Sequence, residues 1–559
     1  MKNIKNNIFK AGLFAVALTS FSACIEETEP MGSTVTTEQV QGQSSATTSL
    51  ALAMPAKFNT VMWGGDKGHF EFGMGACMQI RDQFTQDLCE GGDNGYTWWN
   101  RWACNQYQGD GYVYGQFIWN SYWGFLLSTN NLLVSIDIEN SNNDQKGMYA
   151  TGLAQRALIY LDMARMYEFL PNDGTDAVNV DGNDVTGLTL PIVTEKTTAE
   201  EARNNPRAPH ATMVAFIEND LKEALKYIKL LPQSLAATKT LANEACVWGL
   251  LARLYLWDAS YKEEFELEGA DEAYKAAIDA AEQAITLSGL EPMTKAQCLD
   301  TKSGFNDINC WMWGSTQNSE TATVKTGIIN WTSWLSNQTT YGYAGVGTGM
   351  YVSIDKNVYD RIGDGDLRKL MFVAPEGSAL KDKVTFPDML SAESRAAFVP
   401  YASVKFRPNA GNCDDYNTGS AAAYPIMRVE EMHFIKAEAT AHLNAAEGLA
   451  LLTDFMTNYR NPEYSCRKTE TAEVVEEIVF QKRIELWGEG QTYFDVKRLN
   501  YPVVRGYQGS NHPKDEMLNT TTRPAWMNVV MVRTEQNNNK AVMGWNNPDP
   551  SGVYPVWEE

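Results

Sequence analysis

The stretch Glu477–Arg498 reads EIVFQKRIELWGEGQTYFDVKR. Ile478, Ile484, Leu486, Phe494 and Val496 recur at helical spacing, while Lys482, Arg483, Glu485, Glu489, Asp495, Lys497 and Arg498 supply charge of both signs. Apolar residues three and four apart share one face of a helix, so the stretch predicts a single strongly amphipathic helix. Carboxylates set among Lys and Arg on a helix are placed to form ion pairs. A salt-bridged scaffold role is therefore expected for Glu485, Glu489 and Asp495.

Working outward, other segments repeat the pattern. Thr151–Leu170 ends at Pro171 and Thr212–Leu231 ends at Pro232, where the ring removes a donor and restrains the preceding residue. Ala242–Trp257 and Glu272–Leu287 follow as a pair, the second with alanines where helices pack closely. Met427–Leu443 and Ala446–Tyr459 form a last group, in which Glu430 and Glu438 again stand amid Lys and Arg. Such pairs resemble tetratricopeptide repeats, which stack into a superhelix, although no clean period runs through the chain. Between the groups, residues 60–114 and 290–425 are rich in Gly, Asn, Trp and Tyr and poor in helical periodicity. They read as long loops and short strands over a helical scaffold, the usual place for binding residues.

The N-terminus carries Lys2, Lys5 and Lys10, a mostly apolar run from Phe9 to Leu18, and small residues up to Cys24. The run is shorter than the roughly 20 residues that span a bilayer. It reads as a signal peptide over residues 1–23, with Cys24 as the lipidated residue. Glu26, Glu27 and Glu29 and a Ser/Thr/Gln-rich stretch follow, so residues 24–48 read as anchor and flexible tether.

The formal charge of −23 becomes −26 once Lys2, Lys5 and Lys10 leave with the signal peptide. That balance argues against nucleic-acid binding, which needs basic patches. Eight cysteines remain beyond Cys24, with no CxxC pair. Cys298–Cys310 could close a short loop, and buried free thiols are the alternative. The five histidines form no HExxH arrangement, and neither a metal nor a cofactor is expected.

Taken together, the two ends resemble the SusD/RagB family of outer-membrane lipoproteins. The family's C-terminal signature appears as Lys482-Arg483, Glu485-Leu486, Glu489-Gly490, Asp495-Val496 and Arg498. Two departures stand out: Lys482 where Glu is common, and Gln491-Thr492 where His-Arg is common. Arg428, Glu430, Glu431, Lys436, Ala437, Glu438 and Ala439 are similar to a second family helix, and Asp364–Arg368 to its structural DxR turn. The resemblance implies a mainly α fold over residues 49–559. Tetratricopeptide-like pairs would lie mainly within 115–290 and 424–500, beside a loop-rich, aromatic binding half. It also implies a lipid-anchored protein at the cell exterior of a Bacteroidota-type outer membrane, touching the membrane only through its lipid. Its partner would be a SusC-like TonB-dependent transporter, and its ligand an oligosaccharide or, as in the RagB branch, a peptide.

Ligand residues are sought among the aromatics. Sugars offer flat C–H faces that stack on rings, and hydroxyls that seek amides and carboxylates. The stretch from Asn94 to Trp102 combines Asn94, Tyr96, Trp98, Trp99, Arg101 and Trp102, and a second runs through Trp331, Trp334, Tyr341 and Tyr343. These ten are the candidate ligand residues. Trp119, Tyr122 and Trp123 stand at helical spacing, and Trp311 and Trp313 alternate, so these five are expected in the core. The glycine run Gly342, Gly345, Gly347 and Gly349 lacks the GxGxxG order of a nucleotide site and resembles a family turn. Asp173, Asp176, Asp181 and Asp184 crowd one loop without EF-hand spacing, so a solvated loop is expected rather than a calcium site. Arg81 and Arg101 are available in the sequence to pair with an acidic sugar. No GxSxG, P-loop or metal-ligand cluster occurs, so binding without catalysis is expected over a surface glycoside hydrolase, which needs paired carboxylates.

Overall fold

A computed structural model describes residues 44–61, 68–91 and 97–559. The signal-peptide, Cys24 and acidic-tether expectations lie outside the described residues. Residues 44–559 form one unit. Helix α1 (Ser44–Lys57) begins inside the stretch expected as tether. The further helices used below are α2 (Met74–Gln83), α3 (Thr97–Ala103), α4 (Val113–Val134), α5 (Asn143–Tyr167), α6 (His210–Tyr227), α7 (Glu244–Glu264) and α8 (Ala270–Ser288). After these come α9 (Trp331–Leu335), α10 (Val429–Leu443), α11 (Ala445–Tyr459), α12 (Thr471–Glu485) and α13 (Thr492–Arg498).

Each long helix packs on the next: α4 on α5, α5 on α6, α6 on α7, α7 on α8, α8 on α10, and α10 on both α11 and α12. This is the expected series of helix pairs, with α1 closing the near end against α4 and α5. Helix α5 starts earlier than its apolar period suggests because Asn142 and Gln145 form a reciprocal capping box, with Gln145 N–H donating to Asn142 Oδ1 at 2.9 Å. Helix α8 buries an alanine stripe, Ala273, Ala277, Ala280, Ala281 and Ala284, which lets α7 and α10 approach closely.

The expected single helix over 477–498 is two helices, α12 and α13. Gly488 and Gly490 adopt left-handed φ of 76° and 69° between them, a conformation that side-chain-bearing residues adopt at a cost. A Cβ on Gly488 would lie 2.5 Å from the Phe406 ring, and one on Gly490 2.8 Å from Met78. The break locks onto α2, where Gly490 N–H donates to Asp82 Oδ2 at 2.7 Å and Arg81 Nε donates to Gly490 O at 2.8 Å.

The charged face of the stretch is buried rather than solvated. Glu485 receives Arg460 Nε at 2.7 Å, Arg428 Nη1 at 3.1 Å and Arg368 Nη1 at 3.5 Å. Arg428 also reaches Glu430 at 2.9 Å and Glu489 at 2.9 Å, and Lys405 reaches Glu489 at 2.7 Å. Asp366 of the DxR turn holds Arg368 at 2.7 Å. Arg368, Lys405, Arg428 and Arg460 thus face Asp366, Glu430, Glu485 and Glu489, four cations against four carboxylates. Burial would raise the Glu485 carboxyl, but the Arg460 and Arg428 guanidiniums overcome it and hold the group well below the usual carboxylate range. A neighbouring set joins Lys482 to Asp495 and Arg498 to Glu438, Asp495 and Ser260, pinning α13 to α10 and α7.

Two small antiparallel sheets fasten the loop regions. Strand β1 (Leu88–Gly91) pairs with β3 (Tyr351–Ile354), Leu88 opposite Ile354, and β2 (Trp313–Ser315) pairs with β4 (Tyr424–Met427), Trp313 opposite Met427. Trp311, Trp313, Trp119 and Tyr122 are buried as expected, while Trp123 is half-buried. The eight cysteines of the described residues are free thiols, so Cys298 and Cys310 do not close a loop. Gly345 sits where a Cβ would meet Asn337 O at 1.9 Å, at a φ of 65°. The glycine run is there a close crossing of backbone, and the buried Asn337 side chain ties it to Val352 and Ser403.

Candidate functional site

Helices α3 and α9 carry tryptophans three apart, Trp99/Trp102 and Trp331/Trp334, a spacing that puts both rings of each pair on one helix face. The structure turns both faces inward. Trp99, Trp102, Trp331 and Trp334 are each at most 1% exposed. Trp99 meets Trp334 edge-to-face at 5.3 Å and Trp102 at 5.5 Å, and Trp102 packs on Phe70 at 5.0 Å and Tyr114 at 5.5 Å. Trp331 stacks on Tyr424 at 5.0 Å and meets Phe406 edge-on. The two aromatic stretches therefore do converge, but as ring-on-ring core. In this conformation these four tryptophans offer no open face. Asn94, Tyr96 and the side chain of Trp98 lie outside the described residues.

The remaining candidates stand at the edge of that core. Tyr343 is half-buried and lies flat on Trp334, 4.1 Å away and 6° from parallel. Tyr341 is half-buried, receives the Ser420 hydroxyl at 3.2 Å and faces Tyr416 edge-on at 6.3 Å. Burial pushes the phenol groups of Tyr341 and Tyr343 up, so both stay neutral. Arg101, half-buried at the end of α3, lays its guanidinium over the Tyr107 ring at 5.4 Å. Tyr107 in turn meets Tyr112 edge-to-face at 5.1 Å. Beside them Asp110 pairs with Arg533 at 2.7 Å and accepts from Gln536 Nε2 at 3.1 Å.

Tyr107, Tyr112 and Tyr416 are 37%, 44% and 37% exposed. They were not among the sequence candidates. Their signal was there in the turn-forming composition around them, Asn105 to Tyr112 and Asn412 to Gly419. Exposed rings flanked by a guanidinium, carboxylates and amides can stack on an apolar ring face and bond the hydroxyls at its rim. Arg81, by contrast, is 2% exposed and bonded to Asp162 at 3.0 Å. It is a core ion-pair member, because α2 packs it beneath the Gly490 turn. The Asp173 loop is held by hydrogen bonds: Asp173 accepts from Thr521 N–H and from the Tyr554 hydroxyl. No group of three His, Cys, Asp or Glu among the described residues is placed to hold a metal.

Residues 352–557 match the model of the SusD family. The fold is that of SusD-like proteins. A SusD-like carbohydrate binding protein from Bacteroides vulgatus superposes with a TM-score of 0.65 at 20% identity, over 89% of this chain and 96% of the other. A SusD superfamily protein from Bacteroides thetaiotaomicron gives 0.64 at 16% identity, over 92% and 100%. Surface glycan-binding protein A from Bacteroides uniformis gives 0.60 at 15% identity, over 90% and 99%. No curated protein matches the chain in sequence. Among the described residues, no helix is long and apolar enough to cross a membrane.

Proposed function

We propose that the protein is a surface lipoprotein, anchored through Cys24 to the outer membrane, that captures oligosaccharide and hands it to a SusC-like TonB-dependent transporter. The observation that carries the glycan reading is the open arrangement of Arg101, Tyr107 and Tyr112, with the exposed Tyr416 edge-on to the half-buried Tyr341 as a second ring pair. Open rings suit the faces of sugars, whereas extended peptides favour clefts with backbone partners. The SusD-like and glycan-binding neighbours support the same reading. The proposed role is binding without catalysis, a reading supported by the burial of Glu430, Glu438, Glu485, Glu489 and Asp495 in ion pairs with Arg and Lys.

One observation favours a peptide instead. A cleft of about 490 Å³ is lined by Val373, Val384, Phe386 and Phe398 and by the charged Glu376, Lys381, Asp382 and Arg395. Calorimetry on the protein lacking residues 1–24 separates the two readings. Maltoheptaose, xylohexaose, laminarihexaose and an arabinan oligosaccharide would be titrated beside a mixed peptide library. Saturable binding to one glycan class, without shortened products, supports glycan capture. Binding to peptides alone transfers the role to the cleft.

A further inference from the structure

The Tyr107 ring is presented by backbone that is costly to form. Asn105 and Tyr107 have φ of 54° and 58°. The left-handed region is uncommon for residues with side chains, and for a bulky one it persists only where the surroundings over-determine it. The surroundings here come from the far end of the chain. Gln108 N–H donates to Ser551 Oγ at 2.9 Å, and Gly552 N–H donates to Asn105 O at 2.7 Å. Asp549 Oδ1 accepts from Ser551 N–H at 2.9 Å and packs against Gly109, where a Cβ would lie 2.2 Å from Asp549 Oδ2. Beneath the turn, Asn105 and Gln108 are each 1% exposed. Asn105 Nδ2 donates to Gln108 Oε1 at 3.1 Å, and Gln108 Nε2 donates to Trp102 O at 3.0 Å. The inner residues are locked to the aromatic core and the outer ones to the C-terminal segment, while Tyr107 between them is left 37% exposed.

Resting on the glycan-capture reading above, we propose that the segment Asp549–Gly552 is a strut that holds the Tyr107 turn in its strained pose, and that Ser551 is a positioning residue for the sugar-facing ring. A strut of this kind acts by pre-organisation. The ordering cost of the ring is met on folding and is not charged again when the sugar docks.

The test uses the protein lacking residues 1–24 and the tightest-binding oligosaccharide of the calorimetric panel. Ser551→Ala removes one half-buried hydrogen bond. Gly109→Ala, as a second variant, displaces the Asp549 side chain instead. Each is expected to raise Kd about three- to tenfold, the equivalent of one hydrogen bond, and to speed hydrogen exchange of the amides of residues 105–112. In a Tyr107→Ala background, Ser551→Ala is expected to change Kd no further, which a general loss of stability would not reproduce. Unchanged affinity or unchanged exchange in Ser551→Ala, with Tyr107→Ala weakened, overturns the strut and leaves glycan capture standing. Failure of the unaltered protein to bind any glycan overturns capture and the strut together.

Discussion

Arg460 grips Glu485 with two parallel hydrogen bonds, Nε to Oε2 at 2.7 Å and Nη2 to Oε1 at 2.8 Å, at a point where neither side chain is more than 1% exposed. Bidentate guanidinium–carboxylate pairs are the strong and geometrically specific ones. This pair joins the end of α11 to the end of α12, and Arg428 and Arg368 add the start of α10 and the DxR turn. The signature stretch is therefore the hub where the helical series and the loop-rich half meet.

Removing the centre of that hub leaves three buried guanidiniums facing less negative charge. Glu485→Gln is expected to destabilise the fold by about 3–5 kcal/mol, the usual cost of breaking a buried pair on one side. Urea denaturation followed by circular dichroism would read this, and a midpoint equal to wild type would show the hub to be dispensable.

Acid should attack the same place. The folded carboxyl of Glu485 lies below its unfolded value of about 4.3, so its stabilisation is complete above that value and is lost as pH falls toward the folded one. Wild-type melting temperature should therefore drop steeply below about pH 4. Glu485→Gln should show a shallower acid limb.

Asp82 carries the opposite sign. Burial pushes its carboxyl up to about 8, and the Gly490 N–H and Arg81 only partly offset this. Its contribution is complete below the unfolded value and is lost as pH rises through the folded one. Asp82→Asn keeps an acceptor for Gly490 N–H and removes the titration. The variant should match wild type near pH 4 and melt higher at pH 9. Parallel melting curves for the two proteins across that range would refute a raised Asp82.

The aromatic residues should divide into two classes. Tyr107→Ala and Tyr112→Ala are expected to weaken oligosaccharide binding by about 1 kcal/mol each, roughly fivefold in Kd, with little loss of stability. Trp99→Ala and Trp334→Ala should cost about 3–5 kcal/mol of stability through the cavities they leave. Thermal melts run beside calorimetry would separate the two, and a Trp334→Ala protein that melts normally would place that ring outside the core.

Thiol chemistry gives an independent check on packing. Seven of the eight described thiols are buried and Cys466 is half-buried. Burial pushes Cys77, Cys246 and Cys298 up to about 12, which suppresses the reactive thiolate. In the native protein Cys466 should react with Ellman's reagent first, and the buried thiols only after denaturation. Rapid reaction of several thiols in the native state would contradict the packed core.

Much of the scaffold was legible in the chain itself. Apolar spacing located α5 to α8, α10 and α11 because their inward faces repeat every three to four residues, and interleaved charge marked Glu485, Glu489 and Asp495 as ion-pair members. Periodicity failed at Gly488 and Gly490, since two left-handed residues end a helix whatever surrounds them. Composition showed that residues 60–114 and 290–425 were aromatic, yet it left Trp99, Trp102, Trp331 and Trp334 as candidate ligand residues.

Only the tertiary structure decided which rings face out. A tryptophan in a glycine-rich stretch has the same local sequence whether it lines a platform or fills a core. The choice depends on what other segments bring against it: Tyr424 against Trp331, Phe70 against Trp102, and the C-terminal residues 549–552 against the outer side of the Tyr107 turn. Helices are short-range and were written in the sequence. The exposed tyrosines beside Arg101 are a long-range result, set by contacts between residues more than four hundred positions apart.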